Sequence, residues 1–465
     1  MTKQHFIFKP LRYCVFVLLC FFLLPVMLFA QNTAKLVTPN PTESAVKLYT
    51  FLQEQYKKKI ISGVMTGPLN ELLIGGSNPR PLSNVKEVAY VLSVTEKIPA
   101  LVGFDFMNST GKTSNANYSK AVVAVATELW EKGGIPAFCW HWRNPLLNDT
   151  GFYTPENGNS PVANFDLKTA FTNSSCTEWD ENSDTYIALI RDIDIVSNMF
   201  KELQDKGVAA LWRPLHEASG GWFWWGRNKS QSSSAVACKA LYQLMFDRMV
   251  NHHGLHNLIW IWTSENTTAD FNNWYPGDAY VDMIGRDFYD KDNVNHNNSY
   301  VTQFNGLQKA YPDKMIALSE NGSIPYPTKM LTDGAYWSYF MSWYGKYTIP
   351  TVGSIQYNTA DEWKTIMSDP YVITLEDMPG WKNVGLEENR AVQAAVYPSK
   401  VKDAVYIVCP DYRYSITVTD VGGRLLSFVP TVNGNHTIFC NSWDSGVYYL
   451  SVITENGKRT FPVVK

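Results

Sequence analysis

The sequence predicts an α/β chain: a (β/α)8 TIM barrel followed by a small all-β sandwich domain. Three observations predict it. Eight short apolar runs recur between residues 60 and 345, each closing on polar, glycine or aromatic residues. Amphipathic stretches with helical spacing separate most of them. From about Lys382 the rhythm changes to short alternating segments punctuated by glycine.

At the start, Lys3, Lys9 and Arg12 precede an apolar run from Cys14 to Ala30, and Ala30 before Gln31 suits cleavage. This predicts a secretory signal peptide over 1–30. The run is short for a membrane span, so an anchor is the weaker reading. Thr42 to Lys58 then shows helical periodicity through Val46, Leu48, Tyr49 and Leu52.

The eight runs are IISGVMTG (60–67), IPALVGFDF (98–106), IPAFCWHW (135–142), VAALWRPLHE (208–217), HNLIWIWTSE (256–265), YVDMIGRDFY (280–289), MIALSENG (315–322) and WSYFMSWYG (337–345). Apolar runs bounded by turns and separated by helices read as buried parallel strands. The intervening helices are visible over 118–132, 186–206 and 235–250. An open doubly wound sheet is the alternative, but no glycine-rich phosphate loop follows a first strand. A closed barrel places its active site at the C-terminal strand ends. Here those ends carry Asp105, His141, Glu217, Glu265, Tyr289, Glu320 and Trp343. The barrel domain is expected over 41–382 and the sandwich over 395–465, as strands AVYIVC, YSITVTD, RLLSFV, HTIFC, GVYYLSVIT and RTFPVVK.

A chain of 465 residues with 45% hydrophobic content fits one large domain and one small one. The aromatic fraction is 14%, with 16 Trp and 26 Tyr. A Trp-rich core accounts for some of these rings. Many others sit beside Gly, Asn and Ser, where partial exposure would suit the apolar faces of sugars. A net charge of −3 gives no reason to expect nucleic acid or an anionic membrane surface as partner. Five cysteines follow the leader. An exported chain permits disulfides, and Cys176–Cys238 and Cys409–Cys440 are the expected pairs, with Cys139 a core thiol. No CxxC or His-rich cluster points to zinc.

The chemistry centres on Leu211 to Gly226, LWRPLHEASGGWFWWG. A buried strand ends in a carboxylate and runs into an aromatic loop. Glu320 in MIALSENG has a similar setting. Two carboxylates at two strand ends are the minimum for retaining glycoside hydrolysis, in which one protonates the departing oxygen and the other attacks the sugar carbon. Trp222 to Trp225 would supply the apolar surroundings an acid needs, and the Tyr289 hydroxyl or Arg213 would keep a nucleophile ionised. Position alone does not choose the pair, since Glu265 and Asp105 look the same locally. His216 reads either as a polar residue of the barrel mouth or as a donor to a sugar 2-hydroxyl. His141 reads as a cap on the core or a site residue, Trp343 as core or as a floor under a sugar ring, and Tyr289 as structural or catalytic.

These residues carry a resemblance. RPLHEASGGWFWWG is similar to the acid-strand signature of glycoside hydrolase family 26, whose best-known members are β-mannanases. ALSENGSIP resembles that family's nucleophile strand, and FCWHWRNP, HNLIWIWTSE, YPGDAYVDMIGRDFYD and YFMSWYG resemble further family segments in order. The resemblance covers Pro41 to Lys382. It implies Glu217 as acid/base, Glu320 as nucleophile, and His141, His216, Trp222, Tyr289 and Trp343 as substrate-binding residues. It implies no metal and no cofactor. Ala218-Ser219 departs from the Met-Asn type of sequence expected after the acid.

The implied activity is endo-β-1,4-mannanase on mannan, glucomannan or galactomannan. The family also holds exo-acting mannobiose releasers, β-1,3-xylanases and mixed-linkage glucanases; a glycan-binding protein without activity is the alternative of a different class. The loops 144–184 and 290–300 are expected to decide endo from exo action. The C-terminal region, through YSITVTDVGGRLL and GVYYLSVITENGKRTFPVVK, resembles the domain that sorts cargo through the secretion system of Bacteroidetes. It departs at Tyr397-Pro398-Ser399-Lys400, where YPNP is usual. A sugar-binding sandwich is disfavoured because its aromatics alternate as core residues. The expected partners are therefore β-mannan and secretion machinery, the expected location is extracellular or on a Gram-negative cell surface, and the expected state is a monomer.

Overall fold

The computed structural model describes residues 35–68, 71–226, 233–265, 270–289, 294–381, 394–409, 413–454 and 457–465. The expected signal peptide over 1–30 lies outside the described residues.

Eight parallel strands close a barrel in chain order. They are β1 (Gly63–Met65), β2 (Leu101–Asp105), β3 (Ile135–Cys139), β4 (Ala210–Arg213), β5 (Leu258–Thr263), β6 (Met283–Phe288), β7 (Met315–Asn321) and β8 (Phe340–Ser342). Each falls inside one of the eight apolar runs. β1 to β5 and β7 are buried along their whole length. That is why they read as continuous apolar runs and not as alternating ones.

Helix α1 (Glu43–Gln55) precedes β1, and helices follow seven of the eight strands: α2 (Lys86–Thr95), α3 (Ala116–Glu131), α4 (Asp184–Asp205), α5 (Ser234–Asp247), α6 (Val301–Ala310), α7 (Pro327–Asp333) and α8 (Ala360–Met367). After β5 the described residues hold a π turn, Asp270–Trp274, and a 3-10 turn, Asp278–Tyr280. Side chains set the helix starts. Thr42, Asn115 and Ser183 each accept a backbone N–H of the first turn of α1, α3 and α4. Thr359 and Glu362 form a reciprocal capping box on α8.

One irregularity decides the site. In the pairing of β6 with β7, Leu318 lies opposite Arg286 and Glu320 opposite Asp287, so Ser319 is an extra residue. The bulge breaks the strict alternation of β7. Ser319 and Glu320 both send their side chains to partners in the barrel mouth, Asp287 and Arg213. Gly285 makes room for this: a Cβ there would lie 2.5 Å from Ser319 Oγ.

Most of the tryptophans belong to the core. Trp140, Trp142, Trp212, Trp225, Trp260, Trp337 and Trp363 are fully buried. The expectation of widespread loop exposure is therefore corrected. Some of the buried indole N–H groups are paired: Trp224 donates to Trp142 O at 2.6 Å and Trp225 to His216 O at 3.0 Å, whereas those of Trp140, Trp212 and Trp260 have no partner among the described residues.

The disulfide expectation is also corrected. Neither Cys176–Cys238 nor Cys409–Cys440 is bridged. Cys176 Sγ faces Ser233 Oγ at 3.6 Å, and Cys440 Sγ faces Ile438 O at 3.5 Å. Cys139 is a buried thiol of β3, as expected.

The C-terminal region holds two antiparallel sheets. One joins β9 (Ala395–Tyr397), β10 (Ala404–Val408) and β13 (His436–Phe439); the other is ordered β12 (Leu425–Val432), β11 (Tyr414–Asp420), β14 (Val447–Thr454), β15 (Gly457–Val464). Their inner faces share a core that includes Val405, Ile407, Ile416, Val418, Leu450 and Val452. β9 is a strand the sequence reading did not include. Its aromatics are split: Tyr414 and Tyr448 are buried, but Tyr397, Tyr406 and Phe439 are 51%, 47% and 72% exposed. The register explains the split. Tyr397 pairs with Tyr406, and Phe439 with Ala404, all on the outward face.

Candidate active site

The strand ends at the barrel mouth surround a cleft of about 460 Å³. Glu217 enters it from the loop after β4. The chain turns sharply there, with φ of +49° at Leu215 and +54° at Glu217. Positive φ is uncommon outside glycine, and such strain clusters at functional sites. The turn aims the carboxylate inward, where Glu217 Oε2 accepts the Trp222 indole N–H at 2.6 Å. Trp222 and Phe223 line the cleft, whereas Trp224 and Trp225 face the core.

Glu320 comes from the bulged end of β7. Tyr289 donates its hydroxyl to Glu320 Oε2 at 2.6 Å, and Arg213 donates through Nη2 to Glu320 Oε1. The same guanidinium donates through Nη1 to Asp287 Oδ2 at 2.7 Å, and Ser319 Oγ donates to Asp287 Oδ1 at 2.6 Å. One carboxylate oxygen from each of Glu217, Asp287 and Glu320 lies within 4.8 Å of the others.

Three carboxylates this close cannot all hold full charge. Burial raises the Glu217 pKa well above the ordinary carboxylate range, and the charges of Asp287, Glu320 and Glu265 add to it; the Trp222 N–H opposes. Burial and Asp287 also raise Glu320, but Arg213, His141 and the Tyr289 hydroxyl oppose them. The Arg213 and Tyr289 donors thus favour the ionised form of Glu320. Burial and the adjacent Glu320 keep the Tyr289 phenol protonated, hence a donor.

His141, after β3, is fixed by Asp105: Nδ1 lies 2.6 Å from Asp105 Oδ2, and its backbone N–H donates to Asp105 Oδ1 at 3.0 Å. That contact keeps a proton on Nδ1. Nε2 then lies 3.3 Å from His216 Nε2. His216 is buried beneath His141 and does not line the cleft. Burial, with the charges of His141 and Arg213, keeps it neutral. Trp343, just past β8, lines the cleft with its ring centroid 5.8 Å from that of His141. Two sets of donors have metal-type spacing, Asp105–Cys139–His141 and Glu217–Asp287–Glu320. In both, the carboxylates already accept protein donors, with Arg213 supplying positive charge to the second.

The profile described as Glycosyl hydrolase family 26 matches residues 37–377. The chain belongs to that family. The profile of the secretion system C-terminal sorting domain matches residues 395–465. Among solved structures, the chain is 40% identical to the β-mannanase from a symbiotic protist of the termite Reticulitermes speratus, complexed with gluco-manno-oligosaccharide. That likeness has a TM-score of 0.65 and covers 75% of this chain and 98% of that one. A Podospora anserina GH26-CBM35 β-(1,4)-mannanase is 31% identical, with a TM-score of 0.60 over 75% of this chain and 70% of that one. The mannan endo-1,4-β-mannosidase of Thermothelomyces thermophilus is 33% identical over 76% of this chain and 65% of its own length. The chain spans 65%, 51% and 54% of the first curated relatives it matches.

In this family 26 barrel, six of the seven residues singled out by sequence line one cleft: Glu217, Glu320, His141, Trp222, Tyr289 and Trp343. His216 supports it from below. Sequence reasoning missed Asp287, although a carboxylate within a mostly buried strand is a usable signal, being costly unless paired or functional. It also missed Tyr153 and Asn159, which arrive from the loop 144–184, and Tyr347. Tyr153 stacks on Phe223 at 5.5 Å, a contact across 70 residues of chain (223 − 153) that no local pattern records.

Proposed function

We propose that this protein is a retaining endo-β-1,4-mannanase that hydrolyses mannan, glucomannan or galactomannan through a glycosyl–enzyme intermediate. The observation that carries the reading is the approach of Glu217 and Glu320 to within 4.8 Å, with unequal hydrogen bonding. Retaining hydrolases hold the two carboxyls about 5–5.5 Å apart, whereas inverting ones need roughly 6.5–9.5 Å to admit a water. The substrate class rests on relatives named as mannanases.

In this reading Glu217, protonated, delivers its proton to the glycosidic oxygen as the bond breaks. Glu320, ionised by Arg213 and Tyr289, attacks the anomeric carbon and forms an ester. The freed Glu217 carboxylate then takes a proton from water, which attacks the same carbon and releases Glu320. Glu217 gains negative charge in the first step, and Glu320 loses it. Each therefore favours the protonation state the other needs. Trp343 and Trp222 offer ring faces to the sugar, and His141, held by Asp105, offers Nε2. Residues 395–465 serve export, placing the enzyme outside the cell or on its surface.

The test is a product profile on unsubstituted mannan, galactomannan, β-1,3-xylan and mixed-linkage glucan, with early-time NMR of the new anomeric proton. A spread of mannooligosaccharides appearing first as the β-anomer is expected. Mannobiose alone from the first minutes would replace the endo reading with an exo one, and initial α-anomer would overturn retention. Binding without cleavage of any polymer would make it a glycan-binding protein.

A further inference from the structure

We infer that Glu265 and Arg286 form the wall that grips the sugar on the leaving side of the scissile bond, and so set specificity there. The inference rests on the proposed glycosidase reading. Both residues line the same cleft as Glu217 and Glu320. Glu265 follows β5 by two residues, and Arg286 lies on β6. Arg286 Nη1 donates to Glu265 Oε2 at 2.9 Å and to Ser264 O at 3.3 Å. The guanidinium also sits 5.3 Å over the Phe288 ring. Arg286 is thus held by three contacts, one of them with Glu265.

The pair's hydrogen-bonding capacity is not used up. Among the described residues, Glu265 Oε1 and Arg286 Nε have no hydrogen-bond partner. Those two atoms are themselves shielded from solvent, while the rest of each side chain keeps 19% and 13% exposure and lines the cleft. Buried polar groups left without partners are rare and mark places where a ligand or water completes the set. The two charges cancel, so the pair selects neither an anion nor a cation. What it offers along the cleft wall is a carboxylate beside a guanidinium. A vicinal diol matches that pattern, one hydroxyl donating to the carboxylate and its neighbour accepting from the guanidinium.

The barrel order gives the side. Trp343 follows β8 and His141 follows β3, whereas Glu265 and Arg286 sit at β5 and β6, across the mouth from β1 and β2. Glu217, at β4, stands between His141 and Glu265. An acid placed there protonates an oxygen whose departing sugar lies toward β5 and β6.

The test compares two substrates that share the same two sugars on the non-reducing side. Mannotetraose leaves a sugar against the wall; an aryl β-mannobioside leaves a flat ring without a diol. For Glu265→Gln and Arg286→Met, the ratio of kcat/KM for mannotetraose to that for the aryl glycoside should fall by about 10- to 100-fold. The fraction of glycosyl–enzyme captured by added mannobiose, relative to water, should fall with it. Arg286→Lys keeps the charge but loses the fork, and should give an intermediate ratio; it also serves if Arg286→Met does not fold. Unchanged ratios and unchanged capture in variants with wild-type melting temperatures would overturn the inference. A wild-type enzyme inactive on both substrates would instead sink the glycosidase reading.

Discussion

Replacing Tyr289 with Phe removes one oxygen and tests the division of labour between the two glutamates. The Tyr289 hydroxyl donates to Glu320 Oε2 at 2.6 Å, and the Glu320 side chain is 5% exposed, so solvent screening is small. A hydrogen bond to a charged group is worth about 1.5–3 kcal/mol. One pKa unit corresponds to about 1.36 kcal/mol, so losing this bond should raise the Glu320 pKa by roughly 1–2 units. The sign follows from which form the phenol binds: it donates to the carboxylate, so its removal disfavours ionisation. In the proposed mechanism Glu320 must be ionised to attack, and Glu217 must be protonated to act as acid. A plot of kcat/KM against pH should therefore be bell-shaped, with Glu320 on the acid limb and Glu217 on the basic limb. Both limbs should lie above the ordinary carboxylate range, because burial raises both groups. In Tyr289→Phe the acid limb should move up while the basic limb stays in place. Activity at a pH below the wild-type limb should drop by about 10- to 100-fold, and part of it should return as pH rises. The measurement is kcat/KM on mannotetraose across the pH range, with a melting curve at each pH. A uniform loss at every pH, with the acid limb unmoved, would refute the claim that Tyr289 stabilises the charge of Glu320.

Glu217→Ala should lower kcat on mannan by about 10²- to 10⁴-fold, the usual worth of a general acid. Azide, which needs no base to attack the intermediate, should restore turnover on an activated aryl glycoside and yield a β-glycosyl azide; absence of that product would remove Glu217 from the acid/base role. Glu320→Ala should abolish turnover yet keep mannohexaose binding by calorimetry, since the rings that line the cleft remain; an active variant would refute the nucleophile assignment. Arg213→Met should leave two buried carboxylates without their cation and destabilise the fold by about 3–5 kcal/mol, read as a fall in urea midpoint. Deleting 395–465 should leave mannan cleavage by the barrel intact and change only where the protein accumulates; loss of polymer binding instead would make the sandwich a glycan-binding module.

The barrel was legible because its strands are buried on both faces. A continuous apolar run bounded by turns is a strong signal, and all eight lie where the runs predict. The position of Glu217 and Glu320 at strand ends was legible for the same reason. Which way neighbouring side chains point was not. His216 and Glu217 are adjacent, yet one lies under the site and the other in it, because φ is positive on both sides of His216. Ser319 and Glu320 are also adjacent, yet both reach the barrel mouth, because β7 bulges between Leu318 and Glu320. Asp287 was hidden by the second of these events, since its partners are a bulged serine and an arginine two strands away along the barrel. The cysteine pairs failed for a different reason: proximity in a plausible loop says nothing of whether two Cβ vectors meet. A period of two or 3.6 assigns sides only where an element is regular. The polar site of this barrel is assembled where the regularity of β4 and β7 gives way, so its members could be named from sequence before their geometry could be.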